Sequence, residues 1–452
     1  MLRRACETVR VPSLSADLTF RGLVHQVTDE NLLRRLDSEQ LTAYIGFDPT
    51  ADSLHVGHLV QVLLLGRLQR AGHRVLGVAG GATGLIGDPS GRASERRLLG
   101  PDELRSNLES IRKQLEALLD SFPMPAPSGS APGGTTASES PARVVLLDNA
   151  EWLGELRLID FLRDVGKHFG VGEMIAKESV RSRLSRAGSG VSFTELAYML
   201  LQAYDFLHLH DAYGCKLQLG ASDQWGNITV GMELVRKLRG VQVFGLTTPL
   251  VLKADGEKFG KSATGTVWLD PAKTSPYRLY QFLVRAEDAV VGSYLRRLTF
   301  LSHEEILALD AETAAHPERR EAQRALARHV CTLVHGLAET ERAERAAAAL
   351  FSEAIADLDE AMLVEICSEA PATDLPRSLL EPPGASVADL LARSGLASSK
   401  TRARSILAQG GASVNNVRVS DPDALVSISD LLCDRYVVLR RGRRDYHLVR
   451  FG

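Results

Sequence analysis

Through the first half of the chain, apolar runs of strand length alternate with stretches of helical periodicity, and this alternation restricts the fold more than any other feature. Leu41–Phe47, Arg74–Ala79, Val144–Leu147 and Lys216–Leu219 read as strands. Between the first two, Leu54, Leu59, Val62, Leu63 and Leu68 recur at helical spacing behind Asp52-Ser53, which is the predicted N-cap. Strand, turn, helix and strand in this order predict βαβ units and an α/β fold built on a doubly wound parallel sheet.

At 452 residues the chain holds two to four domains of roughly 100 to 200 residues. Hydrophobic residues make up 44% and charged residues 24%, the mix of folded domains and not of disordered chains. Cys6, Cys215, Cys331, Cys367 and Cys433 are widely separated, with no CxxC and no Cys/His cluster at zinc spacing, so neither a disulfide framework nor a structural metal is expected. No apolar run approaches the ~18 residues of a membrane span, and Gln61 interrupts the longest, Leu59–Leu65. The N-terminal MLRRACETVRVP lacks the apolar core of a secretory signal, which predicts a cytoplasmic protein with a short organellar transit segment as the alternative.

Charge is unevenly spread. Residues 384–452 hold eleven Lys/Arg against six Asp/Glu, so this tail carries +5 while the rest carries −8 of the net −3. A basic module behind an acidic body points to a polyanionic partner. Residues 121–142, dense in Pro, Gly, Ser and Thr, read as a flexible surface insertion, because the strand-like VVLLD follows directly. From about 275 to 363 the pattern is helical. Pro317 is placed to start a helix with Arg320, Arg324 and Arg328 on one face, either a solvated stripe or one that meets phosphate. The segment 371–385 reads as a linker and Ser386 onward as a compact final unit.

Four constellations carry polar chemistry. His55 and His58, in LHVGH, fall near the start of the first predicted helix, where unpaired N–H groups and imidazoles can bind phosphate; a half-surface HxxH or a metal-ligand pair fits the same pattern. Gly57 between them allows a flat group to approach the backbone. The glycine-rich stretch from Gly80 to Gly91 follows a strand but lacks the G-x-G-x-x-G spacing, which removes the dinucleotide reading; what remains is a turn or a ligand loop in which Asp88 would suit an ammonium group. Tyr198, Gln202 and Asp205 share one face of a predicted helix and face either solvent or a pocket. Finally, Gly256-Glu-Lys258-Phe-Gly260-Lys261-Ser262 resembles a phosphate loop but has three residues, not four, between its first glycine and Gly260-Lys261-Ser262, and reads as a basic surface loop or one that closes over polyphosphate.

Together these residues resemble the class I aminoacyl-tRNA synthetases, and among them the bacterial-type tyrosyl-tRNA synthetases. His55-Val-Gly57-His58 is similar to the HIGH signature, Lys258-Phe-Gly260-Lys261-Ser262 to the KMSKS loop, and YIGFDPTADSLHVGH, GDPSG, FTELAYMLLQAYD and GASDQWGN stand in the family's order. The resemblance implies a Rossmann-type catalytic domain over 1–255 and a KMSKS-like loop with an α-helical tRNA-binding domain over 256–370. A linker at 371–385 and a small α+β S4-like RNA-binding domain over 386–452 complete the implied order.

The resemblance also implies roles. Tyr44 and Asp205 would hold a substrate phenol, while Asp88, Thr83, Tyr198 and Gln202 would surround its ammonium. Gln224 would contact the carboxylate and α-phosphate, and Gly46, Asp48 and Asp223 the adenosine. His55, His58, Thr50, Lys258 and Lys261 would attend the pyrophosphate, and Gly57 and Ser262 would also take part in ATP binding. ATP would enter as a substrate with Mg²⁺, without a protein metal cage, and the partners would be L-tyrosine, tRNA(Tyr) and a second copy in a homodimer. Lys400, Arg402, Arg404 and Arg418 are the first expected tRNA contacts, followed by Lys177, Arg181, Arg183 and Arg186. Ile45, Gln61 and Asn415-Asn416 depart from the usual family residues, the last replacing an Asn-Gly turn. The competing readings are a tryptophan-specific relative and a noncatalytic S4-type RNA-binding protein.

Overall fold

The computed structural model describes residues 12–90, 98–122, 144–177, 180–181, 184, 190–262, 265–350, 352–368, 370–442 and 445–452, leaving out the side chains of 261 and 262. The insertion beyond residue 122, Gly91, Arg183 and Arg186 lie outside the described residues.

The chain divides into two compact units, Met1–Ser275 with Phe282–Val334, and Pro276–Gln281 with His335–Gly452. The first is built on six strands: β1 (Gln26–Val27), β2 (Thr42–Phe47), β3 (Arg74–Ala79), β4 (Val145–Asp148), β5 (Leu217–Ala221) and β6 (Phe244–Thr248). Their order is β1-β6-β5-β2-β3-β4, parallel except for the short antiparallel edge β1. After the edge strand β1, the chain enters near the middle at β2, winds outward through β3 and β4, then returns to the other side through β5 and β6. The boundary between β2 and β5 is therefore the topological switch point, where open α/β sheets bind ligands at their carboxyl ends.

The central strands are apolar on both faces because helices cover both. Helix α1 (Leu59–Arg70) follows β2, and Leu59, Val62, Leu63 and Leu68 are fully enclosed. Gly66 is required there: a Cβ would sit 2.3 Å from the ring of Phe122. Helix α2 (Phe193–Tyr213) begins with a capping box in which Ser192 and Glu195 satisfy each other's backbone N–H, and stops at Gly214 with φ +64°. It packs against α3 (Trp225–Arg239), burying Met199, Ala203, Phe206 and Leu209 with Val230, Leu234 and Val235. Enclosing Phe206 alone contributes about 1.5–3 kcal/mol.

The entry to α1 differs from the expectation. The predicted cap Asp52-Ser53 does not start the helix; a 3₁₀ turn at Val56–His58 precedes it, capped by His55. A segment from far along the chain, bridged to His55 at Trp268, explains the shift. Val267 accepts the N–H of Val56 at 3.0 Å and Leu269 donates to Leu54 at 2.8 Å, so residues 54–56 are held extended.

The expected arginine stripe is also broken. The helix starts at Glu321, and Arg320 lies outside it at φ +52°, with its guanidinium on the carbonyls of Val284 and Ala286. Arg324 and Arg328 remain exposed on the helix.

In the second unit, helices α4 (Leu337–Ala349) and α5 (Glu360–Ile366) precede a five-stranded sheet in the order Val417–Val419, Ala412–Val414, Tyr436–Arg441, Asp445–Phe451, Ala372–Leu375. Leu390, Leu391, Ala403 and Leu407, from the short helices Val387–Arg393 and Lys400–Ala408, fill its core with Val437, Leu439, Val449 and Phe451. The segment 371–385 is not a linker. Ala372–Leu375 adds a parallel edge strand to the last strand of the chain, and Leu380 is buried.

Candidate active site

Strand β2 pairs with β3 along its whole length, from Thr42 to Phe47, but with β5 only at Ala43 and Tyr44. Beyond the Tyr44–Gln218 pair the two strands separate, and a cavity of about 330 Å³ opens between their carboxyl ends. Its walls include Tyr44, Gly46, Asp48, Thr50, His55, Gly57, His58, Thr83, Asp88, Tyr198, Gln202, Asp205, Asp223, Gln224 and Lys258. The switch point thus gathers nearly all of the expected substrate residues, which come from segments up to 214 positions apart in sequence (Tyr44 to Lys258).

Tyr44 and Asp205 are both enclosed in this wall. Both are at least nine-tenths buried, and the Tyr44 hydroxyl has no hydrogen-bond partner among the described residues. Burial raises the Tyr44 phenol well above its ordinary range, with the Asp205 charge adding to the effect. Asp205 accepts from Trp152 Nε1 at 2.7 Å and from Asn149 Nδ2 at 3.1 Å. Burial still pushes its carboxyl up to about 7, against the opposing effect of these two donors.

A second carboxylate, Asp48, accepts from the Tyr198 hydroxyl at 2.8 Å and the Thr83 hydroxyl at 3.0 Å, while Asn149 donates to Thr83 at 2.9 Å. Asp48, expected beside adenosine, therefore holds two residues expected around the ammonium. Asp88 accepts from the Ser90 N–H at 2.8 Å and from Gln224 Nε2 at 2.5 Å. Gln202 donates to Gln224 at 3.2 Å and accepts from Asn227 at 3.0 Å. The wall is carboxylate-rich and amide-buttressed, matched to a positively charged ligand group.

At the mouth the two imidazoles stack with ring centroids 3.7 Å apart and 12° between planes. His55 Nδ1 accepts the Gly57 N–H, and His58 Nδ1 accepts the His55 N–H. These bonds leave each proton on Nε2. Burial lowers the basicity of both rings, most strongly His58, with Lys258 further lowering His55 and His55 further lowering His58. Near neutral pH they are uncharged donors.

Lys258 is half exposed and stands 3.9 Å from Asp223, whose carboxyl is raised by burial and held back by that lysine. The glycine-lysine segment is not a loose loop throughout. Phe259 is buried against Phe282 and Tyr294, and Gly260 at φ +93° passes so close to Val56 that a Cβ would lie 2.9 Å from its methyl. The side chains of Lys261 and Ser262 lie outside the described set. Ile45 lines the cavity as an apolar group, and Gln61 donates to the Thr248 hydroxyl at 2.7 Å.

Asn149, Trp152 and Asn227 join the site without being singled out by the sequence patterns. Asn149 immediately follows a predicted strand, at the carboxyl end where ligands bind, and that position is its signal. Asn227 stands within the GASDQWGN motif. Trp152 has no such marker.

Among the basic residues of the second unit, Lys400 pairs with Asp389 at 2.8 Å, and Arg404 pairs with Asp423. Arg418 donates to Gly410 O at 2.8 Å, closing the end of the Lys400–Ala408 helix, while Arg402 is exposed. Elsewhere, Lys177 donates to Thr229 at 3.0 Å.

The profile described as "tRNA synthetases class I (W and Y)" matches residues 36–352, and that of the "Tyrosine--tRNA ligase SYY-like C-terminal domain" matches 367–449. The tyrosine–tRNA ligase of Roseiflexus castenholzii is 50% identical over 436 residues, covering 96% of this chain and 98% of that protein. That of Geobacillus stearothermophilus is 47% identical over 441 residues, covering 97% and 100%. Among solved structures, a C-terminally truncated mitochondrial tyrosyl-tRNA synthetase from Aspergillus nidulans aligns with a TM-score of 0.66 at 32% identity, covering 76% of this chain and 95% of that one.

Proposed function

The chain belongs to the tyrosine–tRNA ligases of class I, and from that premise we propose how its own residues divide the reaction. The enzyme activates L-tyrosine with ATP and transfers it to the 3′ end of tRNA(Tyr). The observation that carries the residue assignment is the pair of buried polar groups in the cavity wall, the unpartnered Tyr44 hydroxyl and the Asp205 carboxylate.

A phenol entering between them supplies hydrogen bonds to both. Phenylalanine would leave the Tyr44 hydroxyl unsatisfied, at roughly 1–3 kcal/mol, and would give Asp205 no donor beyond Trp152 and Asn149. Asp88, Gln202, Tyr198, Thr83 and Asp48 take the ammonium end, and Gln224 the carboxylate. Tyrosine's carboxylate is ionised at neutral pH, so its oxygen attacks the α-phosphorus without a general base. The P–O bond to pyrophosphate breaks, and the electron pair leaves with it.

Catalysis is then positioning and charge stabilisation. The Nε2–H groups of His55 and His58, with Thr50, Lys258, Lys261 and Ser262, attend the phosphates, and Gly46, Gly57 and Asp223 the adenosine. ATP arrives as its Mg²⁺ complex, a substrate. In the second step the terminal ribose hydroxyl of tRNA attacks the adenylate carbonyl and displaces AMP. Residues 386–452, with Lys400, Arg402 and Arg404 exposed on its basic helix, and the helices before them are assigned to tRNA binding.

The homodimer reading is supported by large apolar side chains left exposed in the first unit. Leu158, Ile159, Val171 and Phe193 are 61 to 77% exposed, an arrangement that suits a second copy. Among the described residues no helix is long and apolar enough to cross a membrane. The reaction is assigned to the cytoplasm on the family reading alone.

The deciding experiment is ATP–pyrophosphate exchange with tyrosine, phenylalanine and tryptophan, without tRNA. Exchange with tyrosine alone is expected. Exchange with tryptophan, or tRNA binding without any exchange, would select one of the competing readings. Sedimentation of Phe193→Asp as a monomer would support the dimer surface; an unaltered dimer would reject it.

A further inference from the structure

The turn joining Ala412–Val414 to Val417–Val419 uses two asparagines at positive φ, 48° at Asn415 and 65° at Asn416. Glycine fills such a position without steric cost, and asparagine tolerates it. The two carboxamides do different work. Asn415 holds its own hairpin, accepting the Val438 N–H at 2.9 Å and donating to Asp430 O at 2.7 Å. Asn416 reaches away from it. Its side chain is 8% exposed, and Nδ2 lies 3.2, 3.1 and 2.9 Å from the carbonyls of Ala349, Leu350 and Ser352.

Ala349 is the last residue of α4, Leu350 is its C-cap and Ser352 opens the following turn, so these carbonyls lie at and just beyond the helix end, where the last C=O groups have no partner within the helix. Two amide protons shared among three acceptors close that end. The Tyr446 hydroxyl adds a bond to Leu350 O at 3.1 Å. Farther along, the Tyr436 hydroxyl donates to Glu360 at 2.8 Å. Side chains of the final module therefore grip α4 and α5, in addition to the chain connection through 367–371.

We propose that Asn416 is a positioning residue for tRNA, latching the C-terminal module onto the end of α4 so that bound tRNA is presented from a fixed platform and not from a tether. The inference rests on the reading of this module as the RNA-binding one. A turn that needed only its shape would be served by glycine. What asparagine adds at this position is the donor group that meets the helix end.

Two variants of the full-length enzyme isolate that donor. Asn416→Gly keeps a turn residue suited to positive φ but removes the amide, and Asn416→Asp keeps the size but turns a carboxylate toward three carbonyls. Both should leave tyrosine-dependent pyrophosphate exchange at the wild-type rate. If undocking leaves about a tenth of molecules competent, KM for tRNA rises about tenfold with kcat for charging little changed.

A wild-type KM in both variants would overturn the proposal. So would parallel loss of exchange and charging, since the contact would then serve folding. A triple variant, Lys400→Ala with Arg402→Ala and Arg404→Ala, tests the underlying reading by itself. If it charges tRNA normally, the module is not the RNA-binding one. If it charges poorly while both Asn416 variants behave as wild type, that reading stands and the latch falls.

Discussion

Trp152 donates its indole N–H to Asp205 Oδ1 at 2.7 Å, and the same indole stacks on His208 with centroids 4.4 Å apart and 12° between planes. Asp205 and His208 sit one turn apart on α2, so a single helix supplies both the carboxylate and the ring that holds its donor. The orientation of Asp205 is thereby fixed before any ligand arrives, which is what discrimination by a hydroxyl group requires. Asp205→Ala should weaken tyrosine activation and narrow the gap to phenylalanine. Trp152→Phe keeps an aromatic ring against His208 but removes the donor. At about 1.5–3 kcal/mol for a lost bond to a charged group, it should raise KM for tyrosine roughly tenfold or more. Steady-state exchange kinetics with both amino acids check this, and unchanged discrimination in Asp205→Ala would reject the assignment.

The same carboxyl gives a pH signature. Burial raises its folded pKa to about 7 from an ordinary value of 3.8. Between these values the native protein holds a proton that the unfolded chain has released, so stability falls as pH rises from about 4 to about 7 and levels off above it. Asp205→Asn removes the titration. Its stability relative to wild type should improve across that interval by up to a few kcal/mol, at about 1.4 kcal/mol for each pH unit crossed, and be constant above about pH 8. Denaturant unfolding at a series of pH values, without tyrosine, measures it; parallel stability curves would show that Asp205 is not a buried acid.

The stacked histidines predict an absence of titration where histidines usually show it. Both rings accept a backbone N–H at Nδ1, and burial lowers their pKa values, so the donor form persists through neutral pH. The activation rate should show no histidine inflection between about pH 6.5 and 8. Replacing either ring by alanine should lower the rate by about 10²–10³, the usual effect of deleting one preorganised donor, while tyrosine binding is spared. A rate that grows as the pH falls toward 6 would mean the charged imidazole is the working form.

How far such features can be read in advance depends on the distance over which they are determined. Tyr198, Gln202 and Asp205 are legible as one face because helical periodicity alone places them together. The cap of α1 is not legible: Asp52-Ser53 carries the better local signal, but pairing of residues 54–56 with 267–269 overrides it from more than 200 positions away. Segment 371–385 has the composition of a linker, yet it gains a strand by lying parallel to the last residues of the chain. Arg320 fits a helical stripe in spacing but is drawn off by two carbonyls of another element. In each case local pattern is correct until a long-range contact competes with it.

One long-range contact can be tested at little risk to the fold. Lys273 pairs with Asp52 and lies 5.2 Å from the centre of the Trp268 ring, whose residue bridges in turn to His55. These groups join the histidine turn to the segment that returns from Lys258–Lys261. A partly exposed pair contributes only about 0–1 kcal/mol to stability, so Lys273→Met should unfold at nearly the wild-type denaturant concentration. It should nevertheless slow activation about fivefold at unchanged tyrosine affinity, because a small displacement of the phosphate-binding donors is costly to rate. Lys273→Arg, which keeps charge and ring contact, should restore most of the rate. If Lys273→Met instead loses stability and tyrosine binding together, the lysine supports the fold and not the geometry of the phosphate site.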